Sequence, residues 1–168
     1  QHFDTNLFGM WTVTQAALPM LRDRDGRIVN ISSLAGRIAA PFWGAYAASK
    51  HAVEGFSDAL RMEVAADGVD VVVVEPGPIR TGFNEQGRSN LEAYLPDSIY
   101  SDRYRAVLEQ EMNGVPPEKA GDVVATAATT PRPRPRYTVT WQAWLGTRLA
   151  RLLPTRLKDV IIKKSVWG

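Results

Sequence analysis

The pattern of apolar and polar positions at the start of the chain predicts helix, strand and helix in turn. Apolar residues recur at helical spacing over 3–21, which predicts a helix that ends before the polar run 22–26, with Pro19 in its fraying last turn. The β-branched run 27–31, between a glycine and a pair of serines, is typical of a buried strand. Helix-forming composition then predicts a long helix over 45–66.

The rest of the chain continues this alternation. The valine-rich run 69–74 predicts a parallel strand covered on both faces, and Pro76-Gly77-Pro78 ends it. Further helices are predicted over 100–112 and 117–129, and a last short strand over 137–139. Helices and strands that alternate with short connections indicate an α/β protein with a doubly wound parallel sheet. Such sheets bind ligands outside the carboxyl ends of their strands.

Composition excludes several kinds of site. The chain has no cysteine and two histidines, so it forms no disulfide, carries no thiolate nucleophile and predicts no metal site. It also contains no apolar run of about 18 residues, the length that a membrane span needs. The charge is uneven, since residues 131–168 hold 9 Lys and Arg against one acidic residue, Asp159. The positive field therefore lies in the tail.

The candidate chemistry lies on the helix 45–66. Tyr46 and Lys50 are four residues apart, so their side chains share a helix face. A neighbouring ammonium favours the phenolate and would lower the phenol pKa from its usual value of about 10, which makes Tyr46 a credible acid and base. Ser33 follows the strand 27–31, where its hydroxyl can meet a carbonyl oxygen as charge develops. Taken alone, a tyrosine and a lysine four residues apart on a helix are in most cases an ordinary solvated pair.

Three segments together resemble the short-chain dehydrogenase/reductase family in motif, order and spacing. They are Asn-Ile-Ser-Ser-Leu-Ala-Gly at 30–36, Tyr-Ala-Ala-Ser-Lys at 46–50 and Val-Val-Glu-Pro-Gly-Pro-Ile-Arg-Thr at 73–81, with Asn-Leu-Phe-Gly at 6–9 upstream. The segment 44–63 and Arg-Tyr-x-Val-Thr at 136–140 narrow the resemblance to the branch with hydroxysteroid and retinol dehydrogenases and bacterial aldehyde reductases. That branch takes lipophilic carbonyls and alcohols.

The resemblance implies a catalytic tetrad. Tyr46 would be the acid and base, Lys50 would lower its pKa and bind the nicotinamide ribose, and Ser33 would orient the carbonyl. Asn6 would hold a water that relays protons near Lys50. For the cofactor-binding residues, the resemblance adds a stretch after the second strand that would meet the nicotinamide: Pro76, Gly77, Ile79 and Thr81.

The resemblance also implies a partial Rossmann-like fold whose N-terminal nucleotide-binding half is missing. No Thr-Gly-x-x-x-Gly-x-Gly turn occurs in the sequence, so nothing here would cradle a pyrophosphate, and the chain alone is expected to be inactive. The implied cofactor is NADP or NAD, with NADP favoured by the branch. The implied partners are a small lipophilic carbonyl or alcohol and, for a complete protein, further copies of itself. The alternative is a truncated, non-catalytic module that pairs with intact subunits.

The predicted organisation has two parts. Residues 1–140 form the C-terminal part of a Rossmann-like dehydrogenase domain, in which 78–112 is the substrate loop. Residues 141–168 form a basic, amphipathic helical tail that either folds over this loop as a lid or lies on an anionic membrane surface. The alternating Arg-Pro segment lacks the aromatic residues that stack on bases, so no nucleic-acid partner is predicted. The predicted location is cytoplasmic, or peripheral at a membrane through the tail.

Overall fold

A computed structural model describes residues 1–24, 26–83, 92, 95, 98–109 and 114–167. Its sheet consists of three parallel strands in the order β1 (Arg27–Ile31), β2 (Asp70–Glu75) and β3 (Arg136–Thr138). The α/β class and the parallel sheet are therefore confirmed, with β1 as predicted and β2 one residue later than predicted. Within the described residues β1 pairs with β2 alone.

Six α-helices are described around this sheet. They are α1 (Met10–Arg22), α2 (Gly44–Glu63), α3 (Ser101–Glu109), α4 (Pro117–Thr129), α5 (Trp141–Leu152) and α6 (Thr155–Trp167). The predicted helix 117–129 coincides with α4, and α3 falls inside the predicted helix 100–112. Most of the predicted substrate loop between Phe83 and Ser98 lies outside the described residues.

Two helix ends differ from the prediction. The first helix begins as a π-helical segment, Asp4–Gly9, and α1 then continues past Pro19 to Arg22, so the proline does not mark its end. The second helix stops at Glu63 and not at residue 66, because the chain tightens into a 3₁₀ turn that closes at Gly68, where φ is 72°. A positive φ at this point suits glycine, which carries no β-carbon.

The core lies on both faces of β2, whose valines point alternately to either side. On one face, Val71 packs with a cluster from α2 and its end, Leu60, Val64 and Val69, and with partly buried residues of α1. On the other face, Val72 and Val74 pack with Ala127 of α4 and Tyr137 of β3. Since helices cover both faces, the all-valine run is buried throughout, as a doubly wound sheet requires.

Arg27, at the start of β1, closes the C-terminal end of α4. Its guanidinium donates hydrogen bonds to the carbonyl oxygens of Ala127, Ala128 and Thr130 at 2.8–3.0 Å. It also pairs with Asp70 of β2 at 2.8 Å. Carbonyl groups at a helix end have no partner within the helix, so a partly buried cation there satisfies several of them together and complements the helix dipole.

We expect Arg27→Met to lower the free energy of unfolding by about 2 kcal/mol, because it removes charge-assisted hydrogen bonds to partly buried carbonyls. Urea unfolding followed by circular dichroism measures the change. The matched control is Arg22→Met, which breaks the more exposed Arg22–Asp67 pair and should cost less than about 1 kcal/mol. Equal losses in the two variants would contradict the role assigned to Arg27.

Candidate active site

Ser33 stands where β1 ends, next to the turn that follows β2. The amide of Ser32 donates to the carbonyl of Val74 at 2.8 Å, and the amide of Leu34 donates to the carbonyl of Pro76 at 2.7 Å. Ser33 itself is extended, and its Oγ accepts a hydrogen bond from the amide of Ala35, which starts a short 3₁₀ turn. The sheet ladder thus continues past the strands and holds the serine beside the proline–glycine turn, at the sheet edge predicted for ligands.

Tyr46 and Lys50 project from the first two turns of α2 toward the same edge. The Lys50 ammonium lies 5.9 Å from the centre of the Tyr46 ring and donates to the carbonyl of Ile31 at 3.0 Å. Ser33 lies near enough to the Tyr46 phenol to oppose the rise of its pKa on burial. The structure therefore brings three of the four predicted catalytic residues to the carboxyl end of β1.

The Tyr46 ring is enclosed by other aromatic rings. The ring centres of Phe83, His2 and Trp43 lie 5.5, 5.8 and 5.9 Å from it. None of the three was predicted from the sequence, since they come from separate segments and carry no motif of their own. They give the surroundings of the phenol a largely apolar character, with the serine and lysine as its polar groups.

The pKa of Tyr46 is raised from its ordinary value, because burial penalises the phenolate more than the nearby Ser33 side chain favours it. Burial likewise lowers the pKa of Lys50. The sequence led us to expect a lowered tyrosine pKa, and in this structure the direction is the opposite. The physical reason is that the aromatic enclosure removes water from the phenol, while the lysine ammonium is directed at the carbonyl of Ile31.

Asn6 lies in the π-helical segment and reaches α2 through Ser49. Its amide donates to the hydroxyl of Ser49 at 3.0 Å, and that hydroxyl donates to the carbonyl of Tyr46 at 2.7 Å. Asn6 is thus connected to the turn that carries Tyr46 and Lys50, by way of the residue next to Lys50. Local π-helical geometry is frequent at functional sites. The water relay assigned to Asn6 stays a prediction.

The turn after β2 is fixed from two sides. Gly77 lies so close to the Thr140 hydroxyl that a β-carbon would overlap it, and Thr140 caps α5 by accepting from the amide of Ala143. Ile79 forms a parallel bridge with Val115, in which the amide of Arg80 donates to the carbonyl of Val115 at 2.9 Å. Glycine is required at position 77 for steric reasons.

Thr81 is exposed, and its hydroxyl accepts from the amide of Phe83 at 3.4 Å. Of the predicted cofactor-binding residues, Pro76, Gly77 and Ile79 therefore form a rigid shelf beside Ser33, while Thr81 lies on a more open stretch. A contact of any of them with nicotinamide stays a prediction.

A buried ion network that the sequence did not predict lies behind this shelf. Arg37 contacts Glu54 at 2.8 Å and Glu75 at 2.9 Å, and Arg136 contacts Asp58 at 2.6 Å and Glu75 at 3.4 Å. The Glu54 and Glu75 side chains are 4% and 3% exposed, so each needs its arginine partners. Burial raises the pKa of Glu54, and Arg37 and Arg136 act in the opposite direction. The network ties the serine turn, α2 and the end of β2 to one another.

The signal for this network was present in the sequence. Glu75 ends a strand of valines, and Glu54 falls on the apolar face of α2 between Val53 and Ser57. Charged residues at buried positions imply partners of opposite charge. The sequence could not say which arginines supply them.

The residues at the sheet edge fit the nicotinamide end of a dinucleotide and not its pyrophosphate. Lys50 is an ammonium with three donors, of which the carbonyl of Ile31 takes one, and Tyr46 adds a hydroxyl beside it. These donors match the hydroxyls of a ribose. The sequence offers no glycine-rich turn for phosphates.

The described residues contain neither a membrane-spanning helix nor a cluster of metal ligands. No described helix combines the length and the apolar character needed to cross a bilayer. No group of three or more histidine, aspartate or glutamate side chains among the described residues could hold a metal ion.

Comparison with known proteins agrees with this geometry. The chain is similar to an uncharacterized oxidoreductase, YbbO, of Escherichia coli, with 39% identity over 97% of the chain and 58% of the relative. It is 36% identical to retinol dehydrogenase 16 of Mus musculus, over 95% of the chain and 54% of the relative. It is 34% identical to an NADPH-dependent 3-dehydrocapnine reductase of Ornithobacterium rhinotracheale, over 99% and 62%. The chain thus spans a little more than half the length of these relatives.

A solved structure and a family model complete the comparison. A short-chain dehydrogenase from Streptomyces avermitilis superposes with a TM-score of 0.66 at 29% identity, over 98% of this chain and 58% of that one. This likeness supports the Rossmann-like fold. The family model described as short chain dehydrogenase matches residues 1–92, which include Asn6, Ser33, Tyr46 and Lys50. The chain therefore belongs to the short-chain dehydrogenase family.

Proposed function

We propose that this chain is the catalytic part of an NAD(P)-dependent oxidoreductase that interconverts a lipophilic carbonyl compound and its alcohol. The observation that carries the proposal is the joint placement of Ser33, Tyr46 and Lys50 at the carboxyl edge of the sheet, within an aromatic enclosure. When bound, the nicotinamide cofactor supplies or accepts the hydride. Lys50, Tyr46 and the shelf formed by Pro76, Gly77 and Ile79 are the residues that would hold its nicotinamide end.

In the reduction direction, the chain's own residues manage one proton and one developing negative charge. Ser33 Oγ donates a hydrogen bond to the carbonyl oxygen, and the Tyr46 hydroxyl transfers its proton to that oxygen as it becomes an alkoxide. The raised pKa keeps Tyr46 protonated at neutral pH, which suits a proton donor. In the oxidation direction Tyr46 must first lose this proton, so the same environment makes oxidation require a higher pH.

Two features support the assignment of substrate and coenzyme class. The rings of Trp43 and Phe83 beside Tyr46 offer apolar surface to the part of the substrate next to its carbonyl. NADP is favoured over NAD because one relative that matches 99% of this chain is an NADPH-dependent reductase. We also propose that the complete protein forms homo-oligomers, and that the asparagine at position 6 positions a relay water near Lys50.

The second candidate function is an association module that pairs with intact subunits. Large apolar side chains are exposed along the first helix and at the end of the second: Phe8, Trp11, Val13, Met20 and Met62. Exposed apolar residues that share a helix face, as Val13 and Met20 do, favour a protein–protein contact surface. The same surface would serve the homo-oligomer of an active enzyme, so it favours the second candidate only if the catalytic test fails.

The test compares the 168-residue chain with an extended chain, in which the N-terminal part of the Escherichia coli relative precedes Gln1. We expect the chain alone to give no saturable NADPH or NADH binding in calorimetry, since it has no turn for the pyrophosphate. The extended chain should bind NADPH and oxidise it in the presence of an aliphatic aldehyde. A micromolar dissociation constant for the chain alone would contradict the first expectation.

A homologous series of aldehydes tests the lipophilic class in the same assay. Each added methylene group that is buried contributes up to about 0.8 kcal/mol, so kcat/KM should rise by up to about fourfold per methylene over the first members. A flat series would show that the aromatic rings do not line the substrate site. An extended chain that binds NADPH and reduces no aldehyde or ketone would favour the association module.

A further inference from the structure

The tail helices carry apolar side chains that are exposed in the described part of the protein. On α5, the exposed residues Trp141, Trp144, Leu145 and Leu152 recur at helical spacing, and Trp141 and Leu152 are 70% and 79% exposed. The opposite face of α5 is buried, with Ala143 and Thr147 against the body. The helix is therefore anchored on one side and turns a tryptophan-bearing side outward.

The second tail helix repeats this arrangement. Leu157, Val160 and Ile161 of α6 are all exposed, and their spacing places them on one face. We call the seven apolar residues of both helices the tail surface. Exposed apolar residues that share a helix face, as they do on each of these two helices, mark a site of interaction with another molecule or with a membrane.

The charge around the tail surface is strongly positive. Five exposed cations flank it: Arg148, Arg151, Arg156, Lys163 and Lys164. Against them stands one acid within 141–167, Asp159. The Arg148 guanidinium lies 4.0 Å from the centre of the Trp144 ring, so cations and aromatic rings alternate within the patch itself.

We infer that the tail surface docks on an anionic lipid bilayer, with both helices lying in the plane of the interface. The positive charge around the tail surface favours a bilayer over a second copy of the chain. A second copy of the chain would meet the surface through a symmetric contact, in which the basic rim faces itself and repels. An anionic bilayer presents both an apolar phase for the leucines and tryptophans and negative headgroups for the arginines and lysines. Tryptophan also favours the headgroup level of a membrane.

The docking helix touches the candidate active site. Thr140, which caps α5, lies against Gly77 of the shelf, and Gly146 of α5 lies against Leu34, the residue after Ser33. A lipophilic substrate dissolved in the bilayer would therefore be held one helix away from Ser33. This link to the substrate rests on the proposed function, whereas the docking itself does not, so the two can fail separately.

The test measures co-sedimentation of the 168-residue chain with vesicles. We expect binding at least about tenfold tighter to phosphatidylcholine vesicles that contain about one-third phosphatidylglycerol than to pure phosphatidylcholine. Raising the salt from about 0.1 M to about 1 M shortens the Debye length from about 10 Å to about 3 Å and should release most of the bound chain. Brominated lipids should quench tryptophan fluorescence, and Trp141→Ser combined with Trp144→Ser should abolish most of that quenching.

Paired charge reversals locate the surface. Arg148→Glu with Arg151→Glu should weaken binding to the anionic vesicles by about tenfold or more. Arg103→Glu with Arg105→Glu makes the same change in net charge on exposed positions of α3 and should have little effect. Circular dichroism confirms that each variant is folded, and the salt dependence of the parent chain tests the proposal without any variant.

Several results would overturn the inference. They are equal binding to neutral and anionic vesicles, no binding to either, and equal losses in the two charge-reversal variants. A concentration-dependent dimer that the tail variants abolish would assign the surface to a second copy. Binding to polyglutamate as tight as to anionic vesicles would assign it to an acidic protein. Aldehyde reduction by the extended chain without lipids tests the proposed function independently of all these outcomes.

Discussion

Replacing Tyr46 by phenylalanine in the extended chain should lower the rate of carbonyl reduction by at least about a hundredfold. The variant keeps the ring that packs against Trp43 and Phe83 and removes only the hydroxyl that donates the proton. Proton transfer by a positioned side chain is worth about 10²–10⁴-fold in rate. NADPH binding should remain largely intact, since the lysine and the shelf after β2 are unchanged. Steady-state kinetics with an aldehyde, together with calorimetry for the cofactor, measure both quantities.

The matched control for this prediction is Tyr100→Phe. Tyr100 is exposed immediately before α3, and its ring lies near Phe42 and apart from Tyr46, so its hydroxyl should be dispensable for proton transfer. If Tyr46→Phe retained more than about a hundredth of the parent rate, the tyrosine would not be the proton donor. A loss of cofactor binding in that variant would point instead to a structural role for the hydroxyl.

Replacing Lys50 by methionine should reduce activity and weaken cofactor binding together. Lys50 offers a charged donor to a ribose, and a hydrogen bond to a charged group is worth about 1.5–3 kcal/mol, which corresponds to about 10–100-fold in affinity. The residual oxidation rate should also need a higher pH than in the parent. A nearby cation favours the phenolate, so removing the lysine charge raises the pKa of Tyr46 further. At a given pH, a smaller fraction of Tyr46 is then deprotonated and able to act as the base.

Lys50→Arg separates charge from geometry. Arginine keeps the positive charge but presents a planar fork in place of a compact ammonium, so it should preserve more of the pH profile than of the cofactor affinity. The two pH profiles of the oxidation rate decide the question. A Lys50→Met profile that superimposes on the parent's, with unchanged NADPH affinity, would return Tyr46 and Lys50 to an ordinary contact on a helix surface.

The strands and long helices could be predicted because each is determined by its own local pattern. The run 27–31 is β-branched and bounded by turn residues, and 69–74 is almost all valine, so both were located to within one residue. The predicted end of the helix 45–66 is three residues too late. The chain leaves the helix through a 3₁₀ turn that closes at Gly68, and side-chain pattern does not distinguish such a turn from a further helical turn. The π-helical start of the first helix left no recognisable mark in the composition.

The candidate site was only partly predictable, because its electrostatics depend on tertiary packing. Helical spacing was enough to bring Tyr46 and Lys50 to one face. It could not show that Trp43, Phe83 and His2 enclose the phenol, and this enclosure reverses the expected direction of the tyrosine pKa. Glu54 and Glu75 are neutralised by Arg37 and Arg136, which lie far apart in the chain. No local sequence pattern indicates that these arginines meet these glutamates.

Because Gly77 lies directly against Thr140, the shelf and the start of α5 are in close contact. A ligand that displaces the shelf must therefore also displace the helix that carries Trp141 and Trp144. Thermodynamic linkage makes this coupling reciprocal. If bound cofactor raises the affinity of the tail for lipid by a given factor, bound lipid raises the affinity for the cofactor by the same factor. Gly77→Ala, which forces the two apart, should change that factor, and because Gly77 also belongs to the cofactor shelf, its effect on cofactor affinity must be measured without lipid as well.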